Sequence, residues 1–222
     1  MRLLSLFILM FISWSQFLPA FGESDTKEIT LIRIDGAISP LTTNYVNRGL
    51  KTAREKGSQA LIIEMDTPGG LLDSTKDIVQ TILDSDDMPI VVYVSPQGAS
   101  AASAGTFITM AAHIAAMAPA TNIGAASPVQ MGGGMQMDTV MQKKIFNYTE
   151  SYIESIADRR GRNAEWAITA VREGKSITAD KAVELNVVDF IAENRVDLLE
   201  RLNGLEVEGK ILNTQEAKIE VL

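Results

Sequence analysis

The chain has 222 residues, is 46% hydrophobic, 22% charged and 6% aromatic, and carries a formal charge of −8 with no cysteine. This is a globular composition, which excludes disordered, collagenous and disulfide-stapled classes. Acidic residues outnumber basic ones 28 to 20, so no nucleic-acid partner is expected; with His113 the single histidine, no metal or cofactor is expected either.

Residues 1–22 read as a signal peptide. Arg2 precedes an apolar run from Leu3 to Trp14, and Ala20-Phe21-Gly22 puts small residues at the −3 and −1 positions of a cut before Glu23. An uncleaved anchor is the alternative. Either way the domain, residues 23–222, is expected to be exported, in a periplasmic or other extracytoplasmic and membrane-associated setting. Beyond it, the short apolar runs Ile29 to Ile34, Ala60 to Met65, Ile90 to Val94 and Ile114 to Ala118 have the length and β-branched content of buried parallel strands. Ser39-Pro40 offers an N-cap and a first-turn proline to a helix that runs to Gly57, and a second helix spans Leu71 to Leu83. Strands alternating with helices predict βαβ crossovers and a parallel-rich α/β sheet.

Met88 to Met137 carries no formal charge, yet Pro89, Pro96, Pro119, Pro128 and its glycines leave no uninterrupted apolar helix to cross a membrane. The segment is expected to be packed inside, or to line a cleft for an apolar ligand. Gly132 to Gly134 with Met131, Met135 and Met137 would suit an adaptable loop over such a groove.

Chemistry concentrates at three points. Asp66-Thr67-Pro68-Gly69-Gly70 closes the second strand with glycines that let backbone amides face a ligand, as an oxyanion hole requires, though the same residues also make an ordinary turn. Gly98-Ala99-Ser100-Ala101-Ala102-Ser103-Ala104-Gly105 follows the third strand and opens a helix, so Ser100 or Ser103 is a candidate nucleophile or a plain N-cap. In the next helix, from Asp138 to Asp158, the stripe Val140, Met141, Ile145, Tyr148, Tyr152 and Ile156 is expected to be buried; it places Lys144 inward and Lys143 in solvent. A desolvated lysine can lose its charge and take a proton from a serine; the alternative is a snorkelling lysine with its ammonium in water. His113 lies at the far end of the helix that follows Ser103, too distant to serve it, and is expected to be structural.

These blocks, followed by Met117-Ala118-Pro119, Ile123-Gly124-Ala125, Lys143-Lys144-Ile145-Phe146-Asn147-Tyr148 and Ser176-Ile177-Thr178-Ala179-Asp180-Lys181-Ala182, resemble the membrane-bound ClpP-class serine proteases of the long NfeD type across residues 28–222. The resemblance implies a ClpP/crotonase-like fold of stacked ββα units and a Ser-Lys dyad. It implies Ser103 as nucleophile, Lys144 as general base, and an oxyanion hole from the amides of Gly69 or Gly70 together with Ala104. It also implies a polypeptide substrate with apolar segments, in the manner of stomatin-like membrane proteins, and a homo-oligomer. Long relatives continue into transmembrane helices and a small β-barrel, so residues 23–222 are expected to match their protease part or a short form. Some relatives steady the lysine with an acid just ahead of the Ser-Ile-Thr block; here Gly174 and Lys175 separate Glu173 from that block, and the role stays open. The competing expectation is a catalytically silent scaffold of the same fold; an acyl-CoA enzyme of crotonase type fits poorly with export.

Overall fold

The apolar runs become strands of one parallel sheet. In the computed structural model, which describes residues 27–128 and 138–222, the elements in chain order are β1 (Glu28–Asp35), α1 (Pro40–Lys56), β2 (Leu61–Asp66), α2 (Leu72–Leu83), β3 (Ile90–Val94), β4 (Ser100–Ala102), α3 (Ala104–Ala111), β5 (Ile114–Met117), β6 (Asn122–Gly124), α4 (Thr139–Arg159), α5 (Ala164–Arg172), β7 (Ser176–Thr178), α6 (Ala179–Glu184), β8 (Phe190–Ile191), α7 (Arg195–Leu202), β9 (Glu206–Val207), β10 (Lys210–Ile211) and β11 (Lys218–Val221). The expected signal peptide and the glycine–methionine loop around Gly132 to Gly134 lie outside the described residues.

Six strands pair in the order β11-β1-β2-β3-β5-β8, every neighbour parallel. β3 and β5 are buried along their whole length, as strands covered on both faces must be. On one face Ile32, Ile34, Ile63 and Val92 meet Val46 and Leu50 of α1, Ile78 and Ile82 of α2, and Ile108 of α3. On the other, Leu31, Ile62, Val91 and Tyr93 pack with Leu198 and Leu202 of α7. The first helix forms where the sequence expects it: Ser39 caps it, with Pro40 at its first position, and Gly57 ends it at φ 64°.

A second, three-stranded sheet, β4-β6-β7, stands apart from the large one and carries the segment ahead of Ser103. β4 and β6 run parallel, and β6 and β7 antiparallel. The small sheet hangs on the end of β2 through Thr67, which bridges Ala101: the Thr67 N–H donates to Ser100 O (2.7 Å) and the Thr67 carbonyl accepts from Ala102 N (3.0 Å). Among the described residues no helix is long and apolar enough to cross a membrane.

Candidate active site

β4 turns into α3 through Ser103, whose backbone sits at φ 52°, ψ −112°. A β-carbon makes that region costly, so the surroundings must impose it. They do: the Ser103 N–H donates to Gly124 O of β6 (2.9 Å), and the buried Thr106 hydroxyl, one turn on, lies 2.9 Å from the same carbonyl and 3.0 Å from Ala101 O. A strand–turn–helix bend of this kind lifts a serine side chain out of the backbone and aims it at open space. The Ser103 hydroxyl makes no capping bond, has no partner among the described residues, and is half-buried.

Ser100 is placed differently. Its N–H donates to Asp66 Oδ1 (2.9 Å) and its hydroxyl to Asn122 Oδ1 (2.7 Å), so it is tied into the small sheet and does not line the cavity that Ser103 faces.

Two residues that line a cavity with Ser103, Ala104 and Gly70, have amides without an acceptor among the described residues. Ala104 is the first residue of α3, and its N–H is one of the donors that a helix start leaves without an internal acceptor. Gly70 forms an isolated parallel bridge with Ile38, in which Ile38 N donates to Gly69 O and Leu71 N to Ile38 O (both 2.9 Å). In such a bridge the flanking residues carry the bonds, so the amide of Gly70 itself points the other way. Among the described residues it has no acceptor. Gly69 differs: its N–H is already given to Thr67 Oγ1 (3.1 Å). Of the two glycines expected to offer an oxyanion donor, Gly70 holds the free one.

Ser103, Ala104 and Gly70 share a cavity of about 250 Å³ with Leu71, Leu72, Phe107, Ala126 and Ile145 among its walls. Its lining is mainly apolar. Behind Phe107 stands an aromatic stack, Phe107 on Tyr152 and Tyr152 on Tyr148, each pair with centroids 6.0 Å apart, and Lys76 lies 5.3 Å over the Tyr148 ring. Burial pushes the Tyr152 phenol up to about 12, which keeps it protonated. The neighbouring Tyr148 raises the Lys76 ammonium above its ordinary value. Neither group is suited to take a proton from Ser103 near neutrality.

The α4 stripe needs correction. Val140, Met141 and Tyr148 are exposed, at 55%, 51% and 46%, and Lys144 is exposed as well as Lys143. The first turn and a half of α4 is exposed; burial starts at Ile145 and Phe146, both half-buried, and is complete at Thr149, Ile153, Ile156 and Ala157. Lys144 precedes the first packed residue by about 100° of helix rotation. Ile145 therefore reaches the cavity wall, while Lys144 emerges beside it into solvent rather than pointing inward. Glu173 forms an exposed pair with Lys175 (3.4 Å).

His113 sits beyond the other end of α3. Its Nδ1 accepts from Ile90 N (3.1 Å), and burial, followed by the Arg160 charge, pushes the ring down to about 4. Asp86, His113 and Glu208 bring ligand atoms within 4.8 Å of one another, but the cluster is poorly suited to a cation. With Nδ1 accepting, the neutral ring carries its proton on Nε2, the nitrogen that faces Arg160 Nη2 at 3.3 Å.

Sequence reasoning passes over Thr67, Phe107 and Gly124 as parts of the site. Thr67 stands just ahead of the Pro-Gly-Gly turn and Phe107 within the helix after Ser103, and neither residue type nor spacing singles them out. Only Gly124, at φ 134° and with its Cα against the Lys175 carbonyl, leaves a trace, as one glycine among small residues.

The chain is similar to known proteins over most of its length. Membrane-bound protease PH1510 of Pyrococcus horikoshii is 37% identical over 199 residues, covering 87% of this chain. Membrane protein NfeD1b of Bacillus subtilis is 27% identical over 194 residues, covering 82% of it. The chain spans only 44% and 42% of those two relatives. Among solved structures, the 1510-N membrane-bound stomatin-specific protease superposes with a TM-score of 0.80 at 35% identity as a serine-to-alanine mutant, covering 89% of this chain and 98% of that one. As a lysine-to-alanine mutant in complex with a substrate peptide it superposes with a TM-score of 0.81 at 34% identity, covering 89% and 93%. The α/β architecture is thus the ClpP-like one of that protease domain. The family model for the NfeD1b N-terminal domain matches residues 28–210, and the chain belongs to that family.

Proposed function

We propose that residues 23–222 form a serine endopeptidase domain in which Ser103 is the nucleophile and Lys144 the general base. The observation that carries the reading is the strained Ser103 backbone, which leaves an uncapped hydroxyl on an apolar cavity that Gly70 and Ala104, whose amides have no acceptor among the described residues, also line. Strain of this kind persists where function requires it. Further support comes from relatives named as proteases, one of them solved with a substrate peptide.

Lys144 Nζ, in its neutral form, takes the hydroxyl proton as Ser103 Oγ bonds to the scissile carbonyl carbon. The negative charge that develops on the carbonyl oxygen is held by the Gly70 and Ala104 amides. The lysine ammonium then returns its proton to the departing amine as the C–N bond breaks. Water, deprotonated by the same lysine, attacks the acyl-serine and frees the enzyme. The exposure of Lys144 suggests that desolvation comes with the substrate: an apolar peptide covering the mouth of the cavity would strip water from the lysine beside it, and the flexible stem would carry Nζ to Oγ.

The substrate class follows from the walls. Leu71, Leu72, Phe107 and Ile145 suit apolar segments, such as those of a stomatin-like membrane protein, the class for which the 1510-N protease is named specific. An exported, membrane-associated domain acting as a homo-oligomer completes the proposal.

The same exposure of Lys144 favours a second reading, a silent scaffold that only clamps such a partner. Lys144→Arg separates the two, because a guanidinium does not deprotonate in this range. Peptidase activity on an apolar peptide should vanish in Lys144→Arg, stay near wild type in Lys143→Ala, and fall steeply when a Lys or Asp is set beside the scissile bond. A Lys144→Arg protein with wild-type turnover would remove the dyad.

A further inference from the structure

Thr67 is completely buried and touches the neighbour of each proposed oxyanion donor, Gly69 beside Gly70 and Gly105 beside Ala104, without lining the cavity itself. Its hydroxyl lies between the two polar groups of Gly69, 3.1 Å from the N–H and 3.3 Å from the carbonyl. Its methyl presses on the start of α3: a β-carbon built at Gly105 would stand 2.7 Å from Thr67 Cγ2. Its backbone is bonded on both sides to β4. One side chain therefore spans the gap between the loop that bears the Gly70 amide and the helix start that bears the Ala104 amide.

We infer that Thr67 is the positioning residue of the oxyanion hole. The inference rests on the peptidase reading above. Two neighbouring glycine amides could compete for one developing charge, and the hydroxyl settles the competition by accepting the Gly69 N–H internally. A buried N–H that has found its acceptor gains nothing by turning away from it, so Gly69 is held and the next peptide unit presents Gly70 toward Ser103. The methyl, wedged against Gly105, sets how closely α3 and its first amide approach. Both effects act on the charge that appears only in the transition state. Their loss should lower kcat and leave KM almost unchanged.

The two arms can be removed separately. Thr67→Val keeps the methyl and its volume but deletes the hydroxyl; Thr67→Ser keeps the hydroxyl and loses the methyl. On an apolar peptide, Thr67→Val should lower kcat by about 10- to 100-fold, somewhat less than outright loss of one oxyanion donor, with KM within about twofold. Affinity for a peptide boronate, whose tetrahedral adduct needs the hole, should fall in parallel. Thr67→Ser should keep kcat within about threefold. Wild-type kcat in Thr67→Val, an equal loss in both variants, or a change confined to KM would overturn the assignment.

A measurement on the unaltered protein guards against a variant that fails to fold. In its amide NMR spectrum the Gly70 proton should shift downfield when the boronate binds, while the Gly69 proton stays in place and slow to exchange. A Gly69 shift with Gly70 unmoved would overturn the inference. The underlying reading fails separately: cleavage undiminished in Ser103→Ala would sink the peptidase whatever Thr67 does.

Discussion

Gly69 lies flat against Ser103: a β-carbon built at position 69 would stand 2.6 Å from Ser103 Cβ and 3.0 Å from its Oγ. Gly69 also has φ 112°, a conformation that L side chains rarely adopt. Gly69→Ala should therefore cost about 1–3 kcal/mol of stability from the backbone alone and displace Ser103, the proposed nucleophile. A displacement near 1 Å is enough to lower turnover by about 100-fold. Gly57→Ala is the control. It too has positive φ, at 64°, but nothing lies within 4 Å of its β-carbon, so it should lose stability and keep activity. Urea denaturation and peptide hydrolysis on both variants check the contrast.

The strain at Ser103 can be read as a stability difference. Ser103→Ala and Ser103→Gly should both be inactive, but only glycine adopts φ 52°, ψ −112° without penalty. After allowing for the greater freedom glycine brings to the unfolded chain, Ser103→Gly should be about 1 kcal/mol more stable than Ser103→Ala. Equal urea midpoints would mean that the bend costs nothing.

His113 predicts the acid limb of stability. Its ring is pushed from 6.5 to about 4 by burial and by Arg160, so between those pH values the unfolded chain takes up a proton that the folded chain refuses. Stability should fall as pH drops through that window, by about 2 kcal/mol once partial solvent access is allowed for. His113→Asn, which keeps an acceptor for the Ile90 amide, should flatten the slope between pH 6.5 and 4. Glu64 acts lower down. Burial alone would raise its carboxyl, but the bonds and charges of Arg195 and Arg33 outweigh burial and hold it below 4.5. Its contribution is present above 4.5 and is lost only as pH falls further, so that part of the slope should survive in His113→Asn. Urea titrations at stepped pH separate the two.

The four inner strands of the large sheet were legible because long apolar runs have a single destination; its short edge strands, β8 and β11, were not. Ile90 to Val94 is a strand from end to end, the runs from Ile29 and Ala60 differ from β1 and β2 by one residue at each end, and the run from Ile114 outlasts β5 by one residue. The small sheet was not: β4, β6 and β7 are three residues each, too short for any period to show, and they exist because Thr67 and Ser103 N–H lend them partners from elsewhere in the chain. Ser103 emerged from the order of small residues and from family resemblance, whereas its backbone conformation is a tertiary property. The direction of Lys144 was misread for a definite reason. A hydrophobic stripe reports burial only where a helix has something to lie on, and α4 meets the body only from Ile145 onward. The apolar residues before that point, Val140 and Met141, follow the periodicity but not the burial.

The bend at Ser103 is held from far downstream. Gly124 O receives the Ser103 amide, and the next residue, Ala125, donates to the carbonyl of Lys175 (2.8 Å), where β7 begins its pairing with β6. A chain made from its N-terminus therefore carries its serine for more than 70 residues of synthesis before the clamp that shapes it exists. Until that stretch has emerged and paired, the serine is one more flexible hydroxyl. On the peptidase reading proposed above, cutting power would arrive only once the chain has been made past Lys175 and paired there.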